Sequence, residues 1–212
     1  MDKLPKRPAR RPRYDTADKQ SAILKAGEKL FLRDGFHKTS VDAIALDAKV
    51  SKRTVYGYFE NKEKLFAAII ADICSEVLPA SAVDFESDDV EANLARIGAA
   101  FLTTVYSPRQ RRLIRTVVAE ARQHPEIGAL MFEGPVTRSH GMVRAYLENL
   151  ADKGILRFEY PEIAGAQFVG LLKTDIQLRM LFNYPLRPTK DEIERIAKSA
   201  ANIFLHGALV RR

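Results

Sequence analysis

The sequence predicts an all-α fold of about nine helices, with an N-terminal three-helix head of helix-turn-helix type and a larger helical domain behind it. Three observations carry that prediction. Apolar residues recur at three- and four-residue spacing along most of the chain, the period of a helix with one buried face. Capping residues stand just before these stretches, and glycine or proline just after them. No segment shows the alternating pattern, bounded by turn residues, that marks a strand or hairpin. On this reading the chain divides into an arm over 1–16, the head over 17–77 and the larger domain over 78–212.

The arm, MDKLPKRPARRPRY, sets Lys3, Lys6, Arg7, Arg10, Arg11 and Arg13 among three prolines, and its low apolar content predicts disorder. In the first helix Ile23, Gly27, Leu30 and Phe31 share a face, and Asp34-Gly35 stops it. Thr39 is the expected N-cap of the second, with Asp42 three residues on, and Ile44, Ala45 and Ala48 face inward. Ser51 caps the third, where Val55 and Phe59 are the inward residues. Asn61 caps the fourth, whose stripe is Leu65, Phe66, Ile69, Ile70 and Ile73, ending near Pro79.

After an acidic loop over 80–89, helices are expected at about 89–106 and 108–123, the latter with Ser107 as cap and Pro108 at its first position. One over 125–152 is interrupted at Gly134-Pro135 and closed by Lys153-Gly154. The last two span about 161–183 and 189–209.

Charge is distributed unevenly. Residues 1–65 hold 16 Lys/Arg against 9 Asp/Glu, a balance of +7, whereas residues 66–212 hold 18 of each. All the excess positive charge therefore lies beside the helix-turn-helix segment, the footprint of a surface that faces phosphates. The third helix crowds Ser51, Lys52, Arg53, Thr54, Tyr56 and Tyr58 into one short stretch. Arg53 is the candidate for direct base readout, because a guanidinium bonds guanine O6 and N7 together. Lys52 suits a base or a phosphate, and Tyr56 a thymine methyl or the backbone. Tyr58 and Lys62, further along, suit phosphate clamping. Thr39 and Ser40 open the supporting helix, where hydroxyl and amide groups hold a phosphate. The basic arm is either a minor-groove element or a solubilising tail.

The residues Ile44-Ala45, Ala48, Val50-Ser51, Thr54, Tyr56, Tyr58-Phe59, Lys62-Glu63 and Leu65 resemble the tetracycline-repressor (TetR) family pattern at the same spacing. Ile23, Leu30-Phe31, Gly35-Phe36 and Thr39 resemble its first helix, so the likeness covers about residues 17–77. It implies a homodimeric regulator, usually a repressor, that leaves a palindromic double-stranded DNA operator when a small-molecule effector binds. It also implies DNA contacts at Thr39, Ser40, Ser51, Lys52, Arg53, Thr54, Tyr56, Tyr58 and Lys62. Two positions depart from the family. Lys49 stands where glycine is usual in the turn, and Arg53 where a small residue is common.

Residues 112–135 resemble an AefR-like subgroup of the same family, which makes 78–212 the expected ligand-binding and dimerisation domain. Phe168, Leu172, Ile176 and Met180 on one late helix, with Ile193, Ala197, Ala200, Ala201 and Phe204 on the next, are the expected dimer surface; internal core is the competing view. Phe101, Tyr106, Arg115, Phe132, His140, Met142 and Gln167 are candidates for an effector pocket.

Other classes fit poorly. The four histidines lack metal-ligand spacing, and no phosphate loop or nucleophile motif is visible, so neither an enzyme nor a metal or other cofactor is expected. No apolar run is long enough to cross a bilayer, the start lacks an apolar signal core, and a single cysteine, Cys74, suits a reducing cytoplasm. The alternatives are a sequence-neutral DNA-binding protein and a basic peripheral membrane or interaction module.

Overall fold

The computed structural model describes residues 16–75, 77–185 and 188–208. The basic arm and its proposed groove contact lie outside them. The described residues form helices α1 (Thr16–Asp34), α2 (Val41–Asp47), α3 (Lys52–Tyr58) and α4 (Lys62–Cys74), then a 3-10 turn over Ala80–Ala82. The larger domain holds α5 (Val90–Val105), α6 (Pro108–Ala121), α7 (Pro125–Met131), α8 (Thr137–Asp152), α9 (Pro161–Lys173), α10 (Ile176–Leu181) and α11 (Lys190–Ala208). The all-α prediction holds, and the expected helices over 125–152 and 161–183 are each split in two.

Each split has a physical cause. Pro135 has no N–H to give and its ring crowds the preceding turn, so Phe132–Val136 opens into a π-helical turn between α7 and α8. At Thr174 the backbone takes φ 44° and ψ −148°, a conformation that a β-branched residue rarely adopts. The Lys173 carbonyl just before it accepts the Tyr106 hydroxyl at 3.0 Å in place of a helical N–H. Sequence periodicity runs through this break without marking it.

Local capping explains the head. Ser51 and Asn61 accept from the backbone of Thr54 and Lys64 at 3.0 and 2.7 Å, as their positions predict. The N-cap of α2 is Ser40, whose hydroxyl accepts from Ala43 N at 3.1 Å, not Thr39. Thr39 is buried and donates its hydroxyl to the Gly35 carbonyl at 2.8 Å, closing the loop that follows α1. Gly35 itself has φ +88°, which explains a glycine at that stop. Phe31, Phe36 and Phe66 form the aromatic centre of the head, with ring centroids 5.0–5.5 Å apart.

The stripes expected to face a second subunit face the interior of the chain. Phe168, Leu172, Ala197 and Ala201 are fully buried, and Ile176, Met180, Ile193, Ala200 and Phe204 nearly so. α11 packs chiefly along α5, where Gly98 brings the helices close enough that a Cβ would lie 3.3 Å from the Ala197 methyl and 2.6 Å from Leu172. The small residues serve intrachain packing, which an apolar stripe alone cannot distinguish from intersubunit packing.

The head is fixed to the larger domain by polar contacts. Arg109 of α6 forks onto both Glu28 carboxylate oxygens at 2.7 Å and reaches Asp72 of α4 at 2.8 Å. His37, between α1 and α2, stacks on His124, before α7, with centroids 5.2 Å apart.

Candidate nucleic-acid interface and effector cavity

α3 is seven residues long, and only Val55 on it is fully buried. That single anchor, with Phe59 after it, holds the helix while its other faces stay outside. Ser51, Lys52, Arg53 and Tyr56 are exposed, and Ser40 at the start of α2 is exposed beside them. Arg53 makes no side-chain hydrogen bond or ion pair among the described residues. Lys52 Nζ lies 2.8 Å from Asp42 Oδ2 of α2, and that carboxylate holds the ammonium above its ordinary range through the hydrogen bond first and its charge second. Ser51 and Thr54 share a hydroxyl–hydroxyl bond of 2.7 Å, so both hydroxyls sit at the N-terminal end of α3.

The remaining residues named from sequence are placed differently. Thr39 is 3% exposed and its hydroxyl is engaged, so its side chain takes no part in the exposed face. Lys62 turns back over the Phe36 ring at 4.4 Å and donates to the carbonyls of Phe36, His37 and Thr39 at 3.0–3.4 Å. A lysine has three donors, and this one spends them on the loop that closes the head. Tyr58 donates its hydroxyl to the Thr16 carbonyl at 2.9 Å, tying the end of α3 to the start of α1.

Lys49 occupies the turn with φ +55°. The glycine common at this position in the resembling family has a physical counterpart here, and lysine carries the strain of the left-handed region, about 1 kcal/mol.

A cavity of about 190 Å³ lies in the larger domain, lined chiefly by apolar groups such as Phe101, Val105, Ile114 and Met131. Of the candidates named from sequence, Phe101, Tyr106 and His140 line it. The other four do not. Arg115 turns to the Asn183 side chain, over a separate surface groove. Phe132 sits on the π turn, 64% exposed, and Gln167 is exposed on the outer side of α9. Met142 packs against the core from the next turn of α8 without reaching the cavity.

Sequence reasoning missed the polar part of the wall: Cys74, Gln110, Ser139, Lys173 and Gln177. Gln110 had a usable signal, a polar residue three before Leu113 on the inward face of α6. Lys173 had none, because its place depends on the break at Thr174. Cys74, read from sequence as a buried small side chain, is that, and it also exchanges a bond with the Gln110 amide. Burial pushes its thiol above the ordinary range. Because Cys74 closes α4, the cavity wall includes the end of the helix that supports the head.

Comparison with known proteins agrees with this architecture. The family pattern described as bacterial regulatory proteins, tetR family, matches residues 23–69. The AefR-like transcriptional repressor C-terminal domain matches residues 92–207, more than half of the chain. The solved structure of the flavonoid-responsive regulator FrrA superposes with a TM-score of 0.80 at 28% identity, over 92% of this chain and all of that one. The HTH-type regulator YhgD of Bacillus subtilis is 26% identical over 139 residues, 65% of this chain and 70% of its own length. For the HTH-type regulator UidR of Escherichia coli the likeness is 29% over 117 residues, 53% of this chain, which spans about half of that relative (56%). With a helix-turn-helix head and an AefR-like domain matched in sequence, and the whole architecture matched in structure, the chain belongs to the TetR family of transcriptional regulators and is not an enzyme.

Proposed function

We propose that the chain is a cytoplasmic repressor that binds a palindromic operator as a homodimer and leaves it when a small molecule fills the cavity. The observation that carries this reading is the exposed α3 face, Ser51, Lys52, Arg53 and Tyr56, set on a helix anchored by one buried valine. Such a helix fits the major groove, with Arg53 reading a base edge and Lys52 exchanging Asp42 for a phosphate. Ser40 and Thr54 add hydroxyl contacts to the backbone. Thr39, Tyr58 and Lys62 hold the loop and α1 that fix the helix, so their part in DNA binding is to position α3.

Dimerisation is assigned to the outer side of the last helices. Ile163 and Leu171 of α9, Leu178 of α10 and Ile203 of α11 are large, apolar and exposed, and Phe182 just after α10 is 77% exposed. Exposed apolar side chains of this kind on a helical chain fit contact with a second copy of itself. Effector binding would act on the head through Cys74 at the end of α4 and through Arg109, which grips Glu28 and Asp72. A ligand with different affinity for the two head positions shifts their populations and so changes operator affinity.

Selection of bound duplexes from a random pool tests the reading. An inverted repeat with two half-sites is the expected product, and Arg53→Ala is expected to lose discrimination at one base position per half-site. Uniform weakening on every duplex would instead identify a sequence-neutral binder, and stronger binding to acidic liposomes than to DNA at equal salt would identify a membrane module.

A further inference from the structure

The wall of the cavity is poor in free polar groups, and the few that remain are cationic or neutral. Among the described residues no carboxylate lines it. The Tyr106 hydroxyl is given to the Lys173 carbonyl, the Ser139 hydroxyl to the Val136 carbonyl, and Gln110 is engaged with Cys74. Lys173, His140 and Gln177 remain, and their side chains make no hydrogen bond or ion pair among the described residues. An ammonium withdrawn from water without a counter-ion is unfavourable, and a second basic group beside it adds to the cost. Burial lowers the Lys173 ammonium from its ordinary range, and burial together with the Lys173 charge lowers the His140 imidazolium. The protein thus holds two proton-binding groups next to each other in a largely apolar chamber, with no ion pair to either among the described residues.

We propose that the effector is a small organic acid, whose carboxylate is anchored by Lys173 with His140 and Gln177 beside it and whose apolar body lies against Phe101, Val105 and Met131. This rests on the reading of the cavity as the effector site and adds the chemical class. The volume limits the body: about 190 Å³ is below the ~300–1,000 Å³ usual for drug-sized ligands, so one aromatic ring or a medium alkyl chain fills it. Neutral apolar molecules of the same shape leave Lys173 unpaired and are disfavoured for that reason. An anion also has a direct route to the fold, because Lys173 is the last residue of α9 and the strained Thr174 follows it.

The test compares acids with their primary amides, which keep the shape and remove the charge: benzoate and benzamide, cinnamate and cinnamamide, octanoate and octanamide. Binding to the full chain is measured by calorimetry and by the shift in thermal midpoint, and DNA affinity is measured on the same samples. At least one acid is expected to bind roughly tenfold or more tightly than its amide, as a charge-assisted bond requires. That preference should fall below about threefold in Lys173→Met and survive in Lys173→Arg. Without ligand, Lys173→Met should melt higher than the natural chain, because it removes an unpaired cation.

Amides binding as well as acids, an unchanged preference in Lys173→Met, or no acid binding while DNA binding is intact would each overturn the carboxylate anchor. Acids that bind with the expected preference but leave DNA affinity unaltered would overturn the effector reading instead.

Discussion

The Lys52 ammonium and the Asp42 carboxylate, 2.8 Å apart, join the first turn of α3 to the first turn of α2 on the exposed face proposed to meet DNA. Both side chains are more than half exposed, so the pair contributes little stability and is readily exchanged for a phosphate. Asp42→Asn removes the competitor and one repelling charge together. Operator affinity is expected to rise by about three- to tenfold at low salt, with a smaller gain at high salt. A fall in affinity on filter binding would mean that Asp42 orients Lys52 instead of competing for it.

Lys49 at φ +55° is a strained turn residue away from the core. Lys49→Gly is expected to stabilise the chain by roughly 0.5–1 kcal/mol, the strain relieved less the entropy glycine adds to the unfolded state. Urea unfolding followed by circular dichroism gives the value directly, and a destabilised variant would contradict the strain argument.

Helices α8 and α9 touch through Gly165, where an added Cβ would stand 2.9 Å from the His140 carbonyl oxygen and 3.1 Å from Arg144 N, both backbone atoms. Gly165→Ala should cost about 1–3 kcal/mol from overpacking, more than the helix propensity it gains. Gly141→Ala on α8 meets nothing within 4 Å and is expected to stabilise by up to about 1 kcal/mol. Equal melting temperatures for the two variants would remove the case for close approach.

His140 has a consequence for pH. Its folded value lies below the ordinary 6.5, chiefly through burial, so below that pH the unfolded chain binds the proton first. Stability from this group is complete above pH 6.5 and is lost as the pH falls from there towards the folded value. His140→Gln should melt with a flatter pH dependence across that window in calorimetry. An unaltered slope would show that His140 titrates as freely folded as unfolded.

The sequence by itself determined the helix class, the caps at Ser51, Asn61 and Ser107, the interruption at Gly134-Pro135 and the cationic third helix, because each is written in neighbouring residues. Capping, proline geometry and helical period are local effects that one sequence shows fully. The tertiary structure decided which of those residues are free to act. Thr39 and Lys62 look like DNA contacts by type and position, yet the loop after α1 takes up both. The stripes of α9, α10 and α11 look like a subunit interface, yet α5 and its neighbours cover them. Lys173 looks like a surface lysine until the chain breaks at Thr174 and Tyr106 closes on its carbonyl. What a side chain faces depends on residues distant in sequence, and no local pattern records it.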